Sequence, residues 1–203
     1  MIVIIDYGIG NLGSIFNMFK KIKVETKITG DINEIKKASK ILLPGVGAFD
    51  NAMKKINELN IKEVLTYKAL TEKVPFLGIC LGMQILTNCS EEGELPGFGW
   101  IDAETKKFNF EYDSGLKVPH MGWNSVIKSN ECELTRNLPE APRFYFVHSY
   151  YVKVNDEKNS IFKTNYGLTF DSAIQKDNIF GAQFHPEKSH KFGMKFLENF
   201  ASL

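Results

Sequence analysis

The chain is poor in the residues that build metal and disulfide sites. Its 203 residues include 3 cysteines and 4 histidines, and neither a Cys-x-x-Cys nor a His-x-x-x-His spacing occurs. A structural zinc site needs several clustered ligands, so we expect no metal site. Three cysteines cannot all pair, and so few of them are typical of a protein from a reducing compartment.

The sequence also lacks an excess of either charge and any long apolar run. Lys and Arg total 25 against 24 Asp and Glu, a formal net charge of +1. We therefore expect neither nucleic acid nor an anionic membrane as a partner. No apolar stretch approaches the roughly 18 residues that span a bilayer, and Met1–Asp6 lacks the basic head of a secretory signal. These features predict a cytoplasmic protein.

The first half of the chain alternates between strand and helix patterns. Its length suits one domain covering residues 1–203. Apolar runs at Ile2–Ile5, Ile41–Leu43 and Val74–Ile79 predict buried parallel strands. Three apolar stripes at helical spacing follow these runs: Leu12, Ile15, Phe16, Phe19 and Ile22; Phe49, Met53, Ile56 and Leu59; Leu81, Ile85 and Cys89.

The second half changes to strands joined by short polar connections, which favours antiparallel pairing. The predicted strands are Trp100–Phe110, Lys117–Lys128, Arg143–Val154, Ile161–Thr164, Phe170–Lys176 and Ile179–Phe184. A final helix is predicted from about Ser189. The whole pattern indicates a single α/β domain with a mixed, mainly parallel central sheet, flanking helices, and antiparallel strands in the C-terminal half.

The clearest local signal is Gly78-Ile79-Cys80-Leu81-Gly82, between a predicted strand and a predicted helix. The pattern Gly-x-nucleophile-x-Gly is typical of a nucleophile elbow, here with cysteine in place of serine. Glycines flank the nucleophile because a sharp strand-to-helix turn leaves no room for a Cβ. The helix N-terminus favours a thiolate at Cys80, and the Leu81 N–H is free to face a developing oxyanion.

The other cysteines lack this frame. Cys89 falls on the apolar stripe of the predicted helix, and Cys132 lies between two glutamates, so we assign structural roles to both. A free cysteine is most often a small buried apolar residue, and the elbow alone leaves that interpretation of Cys80 open. A thiol nucleophile also needs a base, and a third group to orient the base.

One histidine, His185, is followed two positions later by an acidic residue. His185 ends a predicted strand in Phe184-His185-Pro186-Glu187, and residues two apart in extended chain point to the same side. Glu187 is then expected to bind one ring nitrogen while the other faces Cys80. No acidic residue follows two positions after His120, His148 or His190. We expect packing or ligand contact for His120 and His148, and helix capping or solvent exposure for His190.

A second motif favours a rival class of enzyme. Gly8-x-Gly10-x-x-Gly13 follows a strand and opens a helix, and Asp31 comes about 20 residues later, as in the dinucleotide-binding fingerprint. The second half of such a domain is replaced here by strands of antiparallel character. A tight β–α turn also explains the glycines, so we rank a nicotinamide-dependent oxidoreductase below a cysteine-based enzyme.

Together these segments resemble the triad-type class I glutamine amidotransferases. The resemblance rests on Pro44–Phe49 (PGVGAF), on the Cys80 elbow extended to Gln84, and on Phe184–Glu187. Three more segments are similar to the glutaminase subunit of imidazole glycerol phosphate synthase, and the likeness runs nearly end to end. They are Asp6–Asn11 (DYGIGN), Pro119–Asn124 (PHMGWN) and Tyr145–Tyr150 (YFVHSY).

The resemblance implies a reaction without a cofactor, in which L-glutamine is hydrolysed to glutamate and ammonia through a thioester at Cys80. His185 would move the protons and Glu187 would hold its tautomer. The remaining roles also follow from the matched positions: an oxyanion hole at Val46, Gly47 and Leu81, and glutamine binding at Gln84, Glu92, Ser149 and Tyr150.

The resemblance also implies a partner, a (β/α)₈ cyclase or synthase subunit that forms a heterodimer with the chain and consumes the ammonia in histidine biosynthesis. Asn11, Trp123 and Lys188 match family positions on that interface. Trp123 is a plausible anchor, because buried aromatic side chains dominate such contacts. Plain core packing is the alternative interpretation of Trp123.

One segment departs from the family pattern and leaves the ammonia acceptor open. After Glu91-Glu92-Gly93 the chain continues with Pro96–Ala103 (PGFGWIDA). The same glutaminase chemistry also serves synthases that put amidino groups on bacterial surface sugars. Two alternatives of other kinds are a non-catalytic scaffold subunit, against which the complete triad argues, and a cysteine peptidase, which the glutamine-pocket matches disfavour.

Overall fold

The computed structural model describes residues 1–111, 113 and 115–203. The strands are, in chain order, β1 (Ile2–Ile5), β2 (Thr26–Thr29), β3 (Lys40–Leu43), β4 (Phe76–Ile79), β5 (Cys89–Ser90), β6 (Ala103–Lys107), β7 (His120–Ser125), β8 (Ile127–Lys128), β9 (Arg143–His148), β10 (Tyr150–Val154), β11 (Ser160–Tyr166), β12 (Leu168–Lys176) and β13 (Ile179–Ala182). The α-helices are α1 (Leu12–Lys21), α2 (Ile32–Lys36), α3 (Phe49–Glu58), α4 (Lys62–Thr66), α5 (Leu81–Ile85) and α6 (His190–Ser202). Within the described ranges no helix combines the length and the apolar character needed to cross a membrane.

One large mixed sheet organises the chain. Its strand order is β2-β1-β3-β4-β13-β12-β10-β6-β5, and β11 joins β12 to β8 at the side of this path. The five strands from β2 to β13 are parallel, whereas β12 pairs antiparallel with β13, β10 and β11. Strands β7 and β9 form a separate antiparallel ribbon. The predicted α/β class with a mixed sheet is confirmed.

The central strands are buried on both faces because their side chains are apolar at every position. The sequences IVII of β1, FLGI of β4 and IFGA of β13 are buried throughout. Val3 and Ile5 belong to one core cluster with Phe49 of α3. Ile2 and Ile4 belong to the other, which takes in α1 and α6. Helices therefore cover both faces, as parallel strands require.

The carboxyl ends of three neighbouring strands carry the segments that the sequence singles out. In the sheet order, β4 lies between β3 and β13, with Leu43 paired to Gly78 and Ile79 paired to Ala182. The Pro44–Phe49 turn, the elbow cysteine and the residues before His185 begin directly after these strands. Parallel strands end at one edge of the sheet, which is where open α/β folds place ligands.

Several predicted boundaries are wrong, and the clearest case is the helix after the elbow. It ends at Ile85, and Cys89 is an exposed residue of β5 rather than part of a helical stripe. The following loop takes the last helical carbonyls, since the Phe98 N–H donates to the Ile85 oxygen and the Trp100 N–H to the Leu86 oxygen (2.7 and 3.0 Å). Local apolar spacing does not reveal these competing donors.

The predicted strand Arg143–Val154 is two strands that belong to different sheets. It breaks at Ser149, with β9 in the ribbon and β10 in the main sheet. The predicted strand Trp100–Phe110 shrinks to β6, and Lys117–Lys128 divides into β7 and β8. Strand β2 and helices α2 and α4 were not predicted. Strand β2 reads TKIT and carries no apolar run that would mark it.

Gly82 lets helix α5 approach the end of β3 more closely than any other residue would allow. A Cβ at Gly82 would lie 1.9 Å from the carbonyl oxygen of Leu43, and one at Gly78 would lie 2.4 Å from the Gly82 oxygen. Both contacts are with backbone, which cannot rotate away. The two glycines of the elbow motif are thus required by the packing of the turn.

We predict that Gly82→Ala destabilises the protein by about 3 kcal/mol or more, because overpacking against backbone forces the elbow apart. Gly13→Ala is the matched control, since a Cβ there meets nothing within 4 Å. That change in α1 is expected to be neutral or to stabilise by up to about 1 kcal/mol through helix propensity. Urea unfolding of the two variants measures both values, and equal stabilities would contradict the steric account.

Candidate active site

Cys80 occupies a strained corner between β4 and α5. Its backbone has φ 54° and ψ −112°, a region that costs a non-glycine residue of the order of 1–3 kcal/mol. The Cys80 N–H donates to the Ala182 oxygen at 2.7 Å, which fixes the corner to β13. The side chain is 7% exposed and borders a cavity. Backbone strain of this kind is concentrated at functional sites.

The cavity has a volume of about 460 Å³ and opens at the carboxyl edge of the sheet. This size suits a small ligand such as an amino acid. Most of its lining comes from three parts of the chain that are distant in sequence: the turn after β3, the elbow with α5, and the junction of β9 and β10. The lining residues are Val46, Gly47, Ala48, Cys80, Leu81, Gln84, Glu92, Pro119, Val147, His148, Ser149, Tyr150 and His185.

His185 and Glu187 form the pair that the sequence predicts. The His185 Nδ1–H donates to Glu187 Oε1 at 2.8 Å, and both side chains are buried. The predicted geometry is wrong in one respect, because residues Pro186–Lys188 form a 3₁₀ turn rather than extended chain. The turn bends Glu187 back under the ring. The contact therefore depends on a tight turn and not on strand alternation.

The second nitrogen of His185 is left for chemistry. His185 Nε2 and Glu187 Oε2 are buried and make no hydrogen bond within the part of the chain that the structure describes. Burial lowers the pKa of His185. The Cys80 thiolate and the Glu187 carboxylate raise it by more than burial lowers it, so the pKa is about 10. A protonated ring beside a thiolate is the charge arrangement of an activated cysteine nucleophile. Catalytic contacts of this kind often tighten only when substrate binds.

The predicted oxyanion residues also border the cavity. Val46, Gly47 and Leu81 all line it, and Gly47 has φ +93°, which glycine adopts without strain. Leu81 begins α5, where backbone N–H groups have no intrahelical acceptor. Tyr7, which the sequence did not single out, donates from its hydroxyl to the Pro44 oxygen at 2.7 Å and so anchors this turn.

The four residues predicted to hold glutamine also line the cavity. Glu92 Oε2 accepts from the Phe49 N–H at 3.0 Å, and burial raises the pKa of this carboxyl. Ser149 and Tyr150 contribute the β9–β10 junction. Gln84 is almost fully buried, and its amide donates to the Tyr150 oxygen and to Gln183 Oε1 (3.3 and 3.1 Å). The structure brings all four together with Cys80.

Two histidines with no catalytic assignment form a buried hydrogen-bonded pair, and one of them, His148, lines the cavity. His148 Nδ1 lies 2.7 Å from the Tyr150 oxygen, so it must carry the proton. His148 Nε2 then accepts from His120 Nδ1–H at 2.9 Å, and His120 Nε2 accepts from the Asn124 amide at 3.2 Å. Desolvation by burial lowers the pKa of His120 to about 4 and that of His148 to about 3. Both rings are neutral, as expected for packing residues.

The three predicted interface residues are accessible. Asn11 and Lys188 are exposed, and Trp123 keeps 38% of its surface exposed, so plain core packing does not describe it. The Trp123 ring stacks on His190 with centroids 5.4 Å apart, and Lys188 Nζ lies 5.6 Å from the centre of the Tyr145 ring. The solvent exposure expected of His190 is confirmed.

The glycine motif after β1 does not behave as a dinucleotide fingerprint. Gly8 and Gly10 have φ +81° and +124°, which suits a tight turn. A Cβ at Gly13 would meet nothing within 4 Å, although the third glycine of the fingerprint exists to allow close packing of helix on strand. The turn interpretation of these glycines is the one that the structure favours.

An elbow cysteine and a buried His–Glu pair at the edge of a mixed α/β sheet match the resemblance to glutamine amidotransferases that the sequence motifs suggest. The family described as glutamine amidotransferase class-I matches residues 3–202, and the chain belongs to this family of enzymes. Within it, the chain is 56% identical over 200 residues to the imidazole glycerol phosphate synthase subunit HisH 2 of Methanococcus maripaludis, covering 98% of each chain.

Other comparisons agree with this placement. The imidazole glycerol phosphate synthase subunit HisH of Leptospira interrogans is 47% identical over 204 residues, across the full length of both chains. The structure of PurLQS from Thermotoga maritima superimposes with a TM-score of 0.76 at 17% identity, over 99% of this chain and 97% of that one. At such low identity the second likeness concerns the fold alone. The resemblance to the glutaminase branch that the sequence motifs suggested is confirmed.

The charge pair at His185 gives a measurable prediction. Glu187→Gln keeps the hydrogen-bond acceptor but removes the charge, so the pKa of His185 should fall by about 1–3 units. Because its folded pKa is raised above about 6.5, His185 stabilises the protein fully below that pH, and the contribution is lost as the pH rises toward about 10. NMR titration of the His185 ring tests this, with Glu157→Gln on the surface as control. Identical titration curves in the wild type and Glu187→Gln would contradict it.

Proposed function

We propose that the chain is the glutaminase subunit of an imidazole glycerol phosphate synthase. It hydrolyses L-glutamine to glutamate and ammonia and passes the ammonia to a (β/α)₈ synthase subunit, in a cytoplasmic heterodimer that serves histidine biosynthesis. The observation that carries the proposal is the position of Cys80, at the floor of a cavity whose walls also hold His185 and the predicted glutamine-binding residues.

The chemistry follows from the charges at the site. The Cys80 thiolate attacks the side-chain amide carbon of glutamine, and backbone N–H groups at Leu81 and the Val46–Gly47 turn stabilise the oxyanion. The imidazolium of His185 gives its proton to the nitrogen that leaves as ammonia, and a glutamyl thioester remains. His185 then removes a proton from water, the hydroxide attacks the thioester, and glutamate is released. Glu187 holds Nδ1–H throughout, so Nε2 faces the reaction.

Substrate recognition uses the polar rim of the same cavity. The Glu92 carboxylate offers an anionic partner for the α-ammonium group of an amino acid, and Ser149 and Tyr150 line the same cavity. The fit to glutamine, rather than to a peptide, rests on the cavity volume of about 460 Å³ and on its position between the oxyanion turn and the β9–β10 junction. These features disfavour a cysteine peptidase.

The cytoplasmic location and the single-domain organisation are parts of the same proposal. Cys80, Cys89 and Cys132 all carry free thiols, which suits a reducing compartment, and the proposed reaction requires Cys80 to stay reduced. One sheet contains strands from Ile2–Ile5 to Ile179–Ala182, which supports residues 1–203 acting as one glutamine amidotransferase domain.

Cys80→Ser should lower glutamine hydrolysis by at least about 10⁴-fold, because the nucleophile is replaced by one that the site does not activate. The assay measures glutamate released from L-glutamine in the presence of the synthase partner. Cys89→Ser, at the exposed cysteine of β5, is the matched control and should retain activity. Turnover by Cys80→Ser at the rate of the control would overturn the glutaminase assignment and favour a scaffold role.

The partner surface is expected on the outer side of the β7–β9 ribbon. Met121 is 61% exposed and pairs across the ribbon with Val147, which lines the cavity, and Trp123 stands next to them. Ammonia made at Cys80 would leave the cavity beside this surface. Apolar side chains exposed at the mouth of a polar site are typical of an interface.

We predict that Trp123→Ala weakens binding of the synthase partner by roughly 30-fold or more, as the loss of an aromatic anchor does. The control is Ile127→Ala, an exposed apolar residue of β8 at another edge of the molecule. Isothermal titration calorimetry against a histidine-pathway cyclase measures both. An unchanged dissociation constant would remove Trp123 from the interface, and binding only to a sugar-amidinating synthase would change the proposed acceptor.

A further inference from the structure

Gln183 is a fully buried amide beside the nucleophile, and no step above uses it. Its side chain is 0% exposed, and its Nε2 lies 3.6 Å from Cys80 Sγ, within hydrogen-bond distance for sulfur. The parallel register of β4 and β13 places it there, since Ile79 pairs with Ala182 and the next residues along the two chains are Cys80 and Gln183.

The orientation of this amide follows from its neighbours. The backbone oxygen of Tyr150 can only accept, so the Gln84 group that faces it must be the amide Nε2. The same Nε2 lies 3.1 Å from Gln183, so the facing atom of Gln183 must be its acceptor, Oε1. The N–H₂ group of Gln183 is thereby turned toward the sulfur. The Gln183 side chain cannot present its oxygen to Cys80 without breaking these hydrogen bonds.

The His120–His148 pair fixes the other end of this series of hydrogen bonds. His148 Nδ1–H donates to the same Tyr150 oxygen that accepts from Gln84, at 2.7 Å. His120 in turn donates to His148 Nε2. A continuous series of hydrogen bonds thus links His120, His148, Tyr150, Gln84 and Gln183, in which His148 and Gln84 both donate to the Tyr150 oxygen. Every donor and acceptor in it is determined by the one backbone carbonyl.

We propose that Gln183 is a further catalytic residue, whose side-chain N–H donates a hydrogen bond to the Cys80 sulfur and stabilises the thiolate before it attacks. Donation to a charged acceptor is about twice as strong as donation to a neutral one. The same N–H thus favours the thiolate over the thiol. In a site this buried an unsupported anion would be costly. The role deepens the proposed function, since it concerns the same sulfur, but it does not require glutamine to be the substrate.

Gln183 and His185 then have different roles at the Cys80 sulfur. His185 receives the thiol proton and carries it to the leaving group, whereas Gln183 neither gains nor loses a proton at any step. Its hydrogen bond persists while the sulfur is anionic and weakens once the sulfur is bonded to carbon in the thioester. Gln183 therefore acts on the attacking state of the nucleophile and leaves glutamine binding to other residues.

The test measures the reactivity of Cys80 directly. Iodoacetamide alkylation of Cys80 is quantified by mass spectrometry of its peptide in wild type, in Gln183→Leu and in Thr164→Val. The control removes another buried hydrogen bond, from Thr164 on strand β11 to Ser172 on strand β12 at 2.8 Å. We expect the Gln183→Leu rate at pH 7 to fall about tenfold, with a smaller deficit at high pH, and the control to match wild type.

Glutaminase kinetics supply the second readout. With the synthase partner present, Gln183→Leu should lower kcat by a similar factor and leave KM within about twofold, since the lost contact is not made to substrate. Should Gln183→Leu fail to fold, Gln183→Met fills the same volume without a donor and takes its place. An alkylation rate equal to that of wild type in a folded variant would overturn the role of Gln183.

The two proposals fail in different ways. If wild-type protein with its partner does not hydrolyse glutamine, the proposed function is wrong, yet the alkylation experiment still reports on the Gln183 hydrogen bond. If glutamine is hydrolysed and Cys80→Ser abolishes the reaction, but alkylation of Cys80 is the same with and without Gln183, only the inference drawn here is lost.

Discussion

The parallel register between β4 and β13 is the constraint on which the site depends. It sets Ile79 against Ala182, so that the chain leaving one strand as the elbow runs beside the chain that leads into His185. The Cys80 N–H bond to the Ala182 oxygen locks this arrangement. A slip of one residue would turn every side chain of β13 to the other face, and the base would no longer share a cavity with the nucleophile.

Near the β4–β13 pair, the backbone of the elbow is closely packed and the side chains of the site include buried charges. Gly82 allows α5 to pack closely against the end of β3. Cys80 has an unfavourable φ, and its side chain borders the cavity. The buried charges are paired locally: Glu187 accepts from His185 Nδ1–H, and the His185 ring interacts with the Cys80 sulfur. Such a group is stable only as a set, because removing one member leaves the others buried and unpaired. This explains why the Glu187 contact is built into a rigid 3₁₀ turn.

The sequence predicted the parts of this site that are carried by local motifs. The elbow glycines, the His–Glu pair and the three central strands could be read directly, because each is encoded within a few residues. Gln183 and Tyr7 could not, since their importance comes from strand pairing and from a contact with Pro44 across the sheet edge. The end of α5 was missed for the same reason, as the donors that stop it come from Phe98 and Trp100. For Gln183, the one available signal was its place two residues before His185.

The three buried histidines make the stability of the fold depend on pH in opposite directions. His120 and His148 stay uncharged in the fold, with pKa values of about 4 and about 3. As the pH falls from about 6.5 to about 3, the two histidines bind protons in the unfolded chain but stay neutral in the folded chain, and stability is lost. His185 acts in the opposite direction and loses its stabilising charge as the pH rises toward about 10. Acid therefore destabilises the fold through His120 and His148, whereas alkali removes the charge of His185, so histidines in different surroundings set the two limits.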